Sequence, residues 1–214
     1  MTAPNFTSLA PAELIPGREF SDPARSHDDL AQLEHMRARL AALLGEASLA
    51  LGGAPSRQPA IAFLDEPSGR QHRVVLTARE RLLQAADLTV VGFFGQRRAE
   101  ADPGLLGSID AELLDEFVNH QYVLSYNSIE LPGGDWGNLV LLEHAAGIEH
   151  WRVSQRHIFA ARELSPQFYS SIRLHNGRLA GGLRAPTIEL TSTKYYDFRQ
   201  GWWQALRLAS YREP

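Results

Sequence analysis

The order of strand-like and helix-like segments between residues 87 and 198 is the sequence feature that most constrains the fold. β-Branched and aromatic residues favour strands at 88–94, 122–131, 136–143 and 187–196, and apolar residues at helical spacing favour helices at about 109–120 and 147–163. This order predicts an α+β, ferredoxin-like β-α-β-β-α-β unit, in which an antiparallel sheet carries two helices on one face. The other face must then be covered by a second copy of the chain or by residues 1–86.

The rest of the sequence predicts the segments that flank this unit. Residues 1–25 contain four prolines and predict an irregular arm, and residues 26–86 predict a helix and a hairpin that pack on the core as an N-terminal extension. The hairpin is expected to join extended runs at 60–64 and 73–77 through the turn Glu66-Pro67-Ser68-Gly69. Residues 87–200 form the expected ferredoxin-like domain, and residues 201–214 an aromatic C-terminal tail with a short helix at 202–208. Asn176-Gly177 is a strong turn dipeptide and predicts a turn before the last strand.

Composition excludes several classes of function. The 214-residue chain has a formal net charge of −4 and scattered basic residues, which argues against nucleic acid or a membrane surface as a partner. It contains no cysteine, which excludes disulfides, thiolate metal sites and a cysteine nucleophile. We find no secretory signal and no apolar run of roughly 20 residues, and therefore expect a cytoplasmic protein.

Four segments resemble the dimeric α/β-barrel superfamily. They are Val91-Gly92-Phe93-Phe94, Tyr126-Asn127-Ser128, residues 136–142, and His150-Trp151 with Ser154 and His157. This superfamily includes antibiotic-biosynthesis monooxygenase-like proteins, spheroidene monooxygenase and the haem-binding chlorite dismutase group. The resemblance implies a homodimer with a hydrophobic pocket, and an oxygenase acting on a small apolar organic ligand. The cofactor is left open, with haem as one candidate.

Residues 149–157 concentrate large polar and aromatic side chains at the start of the helix expected at 147–163. Helical geometry places Trp151 and Phe159 on the side that packs towards the sheet, and His150 and His157 nearly opposite. We expect Trp151, Phe159 and Tyr126 to line the pocket. The expected catalytic residues are His157, Asn127 and Arg173, and His150 and His175 complete the ligand-binding set, because a histidine near neutrality moves protons.

The sequence predicts no metal site with any specificity. His150 and His157 lie roughly 10 Å apart along a helix and do not chelate one ion. A set drawn from His144, His175, Glu143 and Glu149 is an alternative of low specificity. Two other functions stay open. One is a non-catalytic binding or assembly module with an interface around Trp202-Trp203, and the other is a haem-binding protein of the same fold.

Overall fold

The computed structural model describes residues 6–50, 59–102, 104, 114, 116–117 and 120–209. Within these residues the chain builds one nine-stranded sheet and several helices. The strands are β1 Thr7–Leu9, β2 Ala60–Asp65, β3 Gln71–Leu76, β4 Asp87–Arg97, β5 Val123–Glu130, β6 Trp136–Leu142, β7 Tyr169–Ala180, β8 Glu189–Asp197 and β9 Trp203–Leu208. The α-helices are α1 Pro23–Ala50, α2 Arg79–Gln84, α3 Ala146–Arg152, α4 Gln155–Phe159 and α5 Ser165–Phe168. None of the helices described here combines the length and the hydropathy needed to cross a membrane.

The strand order across the sheet is β1-β9-β8-β7-β4-β6-β5-β3-β2. All neighbouring strands are antiparallel except β1 and β9, which pair in parallel. The β2–β3 hairpin therefore extends the sheet at one end, and the N-terminal and C-terminal strands extend it at the other.

The long helix α1 covers one face of this sheet. Its residues Leu33, Met36, Leu40 and Leu44 are buried in one cluster with Val74, Leu88, Val90, Phe94, Leu124, Leu139 and Leu141 of the strands. The helix lies close because Gly92 has no side chain: a Cβ there would come within 2.8 Å of Leu33 Cδ1. Burying each such leucine stabilises the fold by about 1.5–3 kcal/mol. The α1 face is thus the main hydrophobic core.

The opposite face carries two smaller clusters. The first joins Val75, Val91, Tyr126 and Val140 of the sheet to Phe117 and Trp151. The second surrounds Phe168, Tyr169, Ile172 and Phe198. Helices α3, α4 and α5 lie between β6 and β7 in the chain, and α3 contributes Ile148 and Trp151 to the first cluster.

The prediction of a ferredoxin-like fold was wrong, because the sheet does not stop at four strands. The strand predicted at 187–196 corresponds to β8, which does not pair with β4. The strand that pairs with β4 on the side away from β6 is β7, a twelve-residue strand in a segment read as a turn. The hairpin treated as an extension packing on the core pairs directly with β5 and belongs to the same sheet. The structure combines helices with a mixed nine-stranded sheet.

Two local predictions are wrong for identifiable reasons. Asn176-Gly177 lies inside β7, where the register with β8 shifts, and a Cβ on Gly177 would come within 2.6 Å of the Glu189 carbonyl oxygen. This glycine therefore permits close approach of two strands instead of a turn. The helix expected at 202–208 is β9, in which Ala205 and Arg207 alternate inward and are buried. The helix expected at about 109–120 falls mostly outside the described residues.

The helix expected at 147–163 is interrupted at Ser154. Its backbone is extended there (ψ 128°), and its hydroxyl accepts a hydrogen bond from the backbone N–H of His157, which makes Ser154 the N-cap of α4. A π-helical turn, Ala160–Leu164, then connects α4 to α5. Because the helix restarts at Ser154, the helical wheel drawn through residues 147–163 does not describe the real positions of His157 and Phe159.

Candidate metal centre

Three side chains from different elements meet at the end of the β2–β3 hairpin: His35 of α1, Glu66 of the hairpin turn and His72 of β3. The turn brings its two strands together through a hydrogen bond of 2.8 Å from the Gly69 backbone N–H to the Glu66 carbonyl oxygen. His72 pairs with Ile129 on β5, so it points towards the α1 face. His35 reaches the same point from the helix above. We call these three residues the His-Glu-His cluster.

The carboxylate of Glu66 lies between the two imidazole rings. His72 Nδ1 is 2.7 Å from Glu66 Oε1, and His35 Nε2 is 2.8 Å from Glu66 Oε2. One ligand atom of each residue lies within 4.8 Å of the other two. The side chains of His72 and Glu66 are almost entirely buried, while that of His35 is 40% exposed. The cluster is therefore anchored in the protein on one side and open on the other.

The protonation states favour cation binding. Burial raises the pKa of Glu66, but hydrogen bonds from His72 and His35 outweigh it and hold the pKa below its ordinary value. Burial lowers the pKa of His72, despite the hydrogen bond to Glu66 that raises it. Near neutral pH the cluster thus offers an ionised carboxylate and a neutral imidazole, which are the forms that bind metal ions.

Arg39, one helical turn after His35, holds Glu66 from outside the cluster. Its Nε donates to Glu66 Oε1 at 3.1 Å, and its Nη2 donates to the Asp65 carbonyl oxygen at 2.9 Å. A group that orients a metal-binding side chain in this way affects the metal affinity and the activity of the site. His72 Nε2, the ring nitrogen that does not contact Glu66, is buried and has no hydrogen-bond partner among the described residues.

A cleft of about 320 Å³ adjoins the cluster. It is lined by Phe63, Leu64, Asp65, Glu66, Gly69, Arg70, Gln71 and His72. Its volume falls at the lower end of the range for small-molecule sites. Glu66 and His72 belong to its wall, so the cleft adjoins two of the three residues of the cluster.

Two of the predicted site residues, Arg173 and His175, lie on the α1 face in a separate network. Arg173 donates to both carboxylate oxygens of Asp29 at 2.5 and 2.7 Å, and His175 Nε2 lies 2.8 Å from Asp29 Oδ2. His175 Nδ1 lies 2.8 Å from the Thr193 hydroxyl. Asp29, His175 and Thr193 are all buried. This network connects α1 to β7 and β8.

Asn127 also lies on the α1 face, because it pairs with Val74 and Leu139 of the main core. Its side-chain amide donates to the Leu139 carbonyl oxygen at 3.3 Å. Its neighbour Tyr126 points to the opposite face, as adjacent strand residues do. The sheet therefore separates Asn127 and Arg173 from His157.

The other predicted residues gather on that opposite face. Trp151 contacts Phe117, which stacks on Tyr126, and the ring of His157 lies 5.3 Å from Trp151. His157 is half-buried, and burial lowers its pKa. His150 is exposed, with its ring 4.8 Å from that of His120, and Phe159 is 50% exposed. The structure thus brings Tyr126, Trp151 and His157 together and leaves Phe159 at the surface.

Sequence reasoning missed the His-Glu-His cluster. One signal was present: His72 directly precedes the strand expected at residues 73–77 and stands two residues before Val74, so an extended chain places both side chains on the same face. Glu66 was read only as part of a turn. The approach of His35 depends on packing between segments 31 residues apart in sequence, which no local pattern reveals.

Comparison with known proteins finds no matching family model, no similar curated protein and no similar solved structure. The resemblance to the dimeric α/β-barrel superfamily stays a prediction. The function is therefore inferred from the geometry of the site.

Proposed function

We propose that this protein binds a divalent transition-metal ion through His35, Glu66 and His72 and acts with it on a small organic molecule in the adjoining cleft. The observation that carries this proposal is the convergence of two imidazoles and one carboxylate within 4.8 Å of one another. The chain has no cysteine, so nitrogen and oxygen atoms supply every protein ligand of the ion. We also propose a cytoplasmic location, with which the absence of cysteine is compatible.

The required adjustment of the ligands is small. Ligand atoms on a tetrahedral zinc ion lie roughly 3.4 Å apart. The contacts of Glu66 with the two histidines, now 2.7 and 2.8 Å, would widen by about 0.6–0.7 Å. His35 has room for this movement because its side chain is 40% exposed. Arg39 keeps the carboxylate in place during it.

Three protein ligands leave at least one coordination position for water or substrate, which is the arrangement of catalytic metal sites. Two histidines and one carboxylate suit Zn²⁺ in hydrolytic sites and Fe²⁺ in non-haem oxygenases. The oxygenase activity expected from the family resemblance is compatible with this donor set and stays part of the proposal. The aromatic and histidine side chains around Trp151 lie across the sheet and take no part in it.

Metal titration tests the proposal. Protein stripped with a chelator is titrated with Co²⁺ and Zn²⁺, and binding is followed by calorimetry and by the visible absorption of Co²⁺. We expect one ion per chain, and a loss of affinity greater than about a hundredfold in His35→Ala and in the nearly isosteric Glu66→Gln. His27→Ala is the matched control, because His27 is an exposed histidine of the same helix. Binding in both ligand variants equal to that of the wild type, or no binding by the wild type, would overturn the proposal.

A further inference from the structure

We infer that the cleft beside the His-Glu-His cluster binds a small organic carboxylate, with Arg70 receiving its negative charge. This inference depends on the proposed metal function and names the class of molecule that the same site takes. It starts from a cationic side chain for which the described part of the chain provides no counterion.

Arg70 lines the cleft together with Glu66 and His72. It is half-buried, yet it forms no hydrogen bond or ion pair with any of the residues that the structure describes. Other arginines of this part of the chain have partners: Arg39 binds Glu66, and Arg37 binds Glu34 and two backbone carbonyls. A guanidinium that is partly removed from water and has no partner in this part of the structure presents its donors to whatever occupies the cleft.

The charge balance also favours an anion. Glu66 and Asp65 are the carboxylates of the cleft, and Arg70 with Arg39 supplies two guanidinium groups beside them. A bound divalent cation then makes the site positive overall. A carboxylate can bind the metal ion and Arg70 at the same time. One of its oxygens coordinates the ion, and the other accepts a hydrogen bond from the planar guanidinium.

The walls limit the size and polarity of the rest of the molecule. Leu64 contacts the main core and Phe63 is 73% exposed, so the cleft has an apolar border beside its charged one. A volume of about 320 Å³ admits a molecule of the size of benzoate. The site thus fits a compact carboxylate with one apolar part.

Benzoate binding to Co²⁺-loaded protein tests this inference, with neutral benzamide as the probe of the same shape. We expect benzoate to shift the visible spectrum of Co²⁺ and to bind measurably by calorimetry, and benzamide to bind much more weakly. Arg70→Gln should raise the dissociation constant for benzoate by about tenfold to a hundredfold, since it removes a charge-assisted hydrogen bond. Arg70→Lys should recover part of this loss. Arg25→Gln, an exposed change on α1, should have no effect.

The two proposals fail in distinguishable ways. Arg70 is not a proposed ligand, so Co²⁺ affinity should be the same in Arg70→Gln and the wild type. Equal benzoate affinity in Arg70→Gln and the wild type, or equal binding of benzamide and benzoate, would overturn the carboxylate inference and leave the metal site standing. Absence of Co²⁺ binding by the wild type would overturn both.

Discussion

The Nδ1 atom of His72 lies 2.7 Å from Oε1 of Glu66, and both side chains are buried where the β2–β3 hairpin meets α1. A carboxylate in this position loses most of its contact with water, which costs free energy unless charged or polar partners compensate. Here His72, His35 and Arg39 all donate to it. The protein therefore maintains an ionised, preorganised acceptor at the edge of a cleft.

Replacement of Asp29 should strongly destabilise the fold. Asp29→Asn removes the negative charge that pairs with Arg173 and leaves a half-buried guanidinium without its counterion. We expect a loss of about 3 kcal/mol in the free energy of unfolding, measured by urea denaturation. Asp28→Asn is the matched control, because Asp28 is the exposed neighbour of Asp29 and should change stability little. A loss in Asp29→Asn no larger than in the control would show that the network contributes nothing to stability.

The same residue predicts a dependence of stability on pH. Burial raises the pKa of Asp29, but hydrogen bonds from Arg173 and His175 outweigh it and lower the pKa below its ordinary value. The unfolded chain then binds this proton more readily, so the stabilisation is complete well above about pH 4 and is lost as the pH falls through the folded-state pKa. The difference in free energy of unfolding between the wild type and Asp29→Asn should shrink between roughly pH 5 and pH 2. A difference that stays constant over this range would refute the assignment.

Substitution of Gly92 should separate α1 from the sheet. A Cβ at this position would lie 2.8 and 2.9 Å from the two terminal methyl carbons of Leu33. We expect Gly92→Ala to cost about 1–3 kcal/mol, and Leu33→Ala in the same chain to relieve part of the overlap. Gly45→Ala is the control, because Gly45 is a helical position with nothing within 4 Å of the added carbon, and should be neutral or stabilising. Equal effects of the two glycine substitutions would contradict this packing.

Arg207 should hold the N-terminal arm on the sheet. Its guanidinium donates to the backbone carbonyls of Ala10, Glu13 and Ser21. Arg207→Met leaves these carbonyls without their donor, so we expect faster proteolytic cleavage between residues 10 and 21, detected by mass spectrometry. Arg178→Met, a change in an exposed ion pair with Glu189, should leave cleavage unchanged. If both variants are cut at the same rate, Arg207 is not the anchor of the arm.

Local sequence patterns predicted the elements that are determined by interactions between residues close together in the sequence. The hairpin around Glu66-Pro67-Ser68-Gly69 follows from turn chemistry, and helix α1 from apolar residues at helical spacing. The predictions were wrong where the same residues are compatible with two different local structures. Gly177 permits close approach of strands as readily as a turn, and residues 203–208 are as compatible with a strand as with a helix until Ala205 and Arg207 pack inward.

The candidate site was less predictable than the fold because it is assembled across distant segments. His35, Glu66 and His72 come from a helix, a turn and a strand, and only the packing of α1 over the hairpin brings them together. The sequence instead predicted site residues within 149–157, where many polar and aromatic groups are close along the chain. The sheet places these residues on the face opposite to Asn127, Arg173 and His175.

Anomalous X-ray diffraction from crystals of the protein grown with Zn²⁺ or Co²⁺ is the most direct test of metal binding by the His-Glu-His cluster. We expect one strong anomalous peak per chain, at about 2.0–2.2 Å from a nitrogen of His35, a nitrogen of His72 and a carboxylate oxygen of Glu66. A fully loaded crystal with no peak at these three side chains, or with its metal bound only elsewhere, would contradict it.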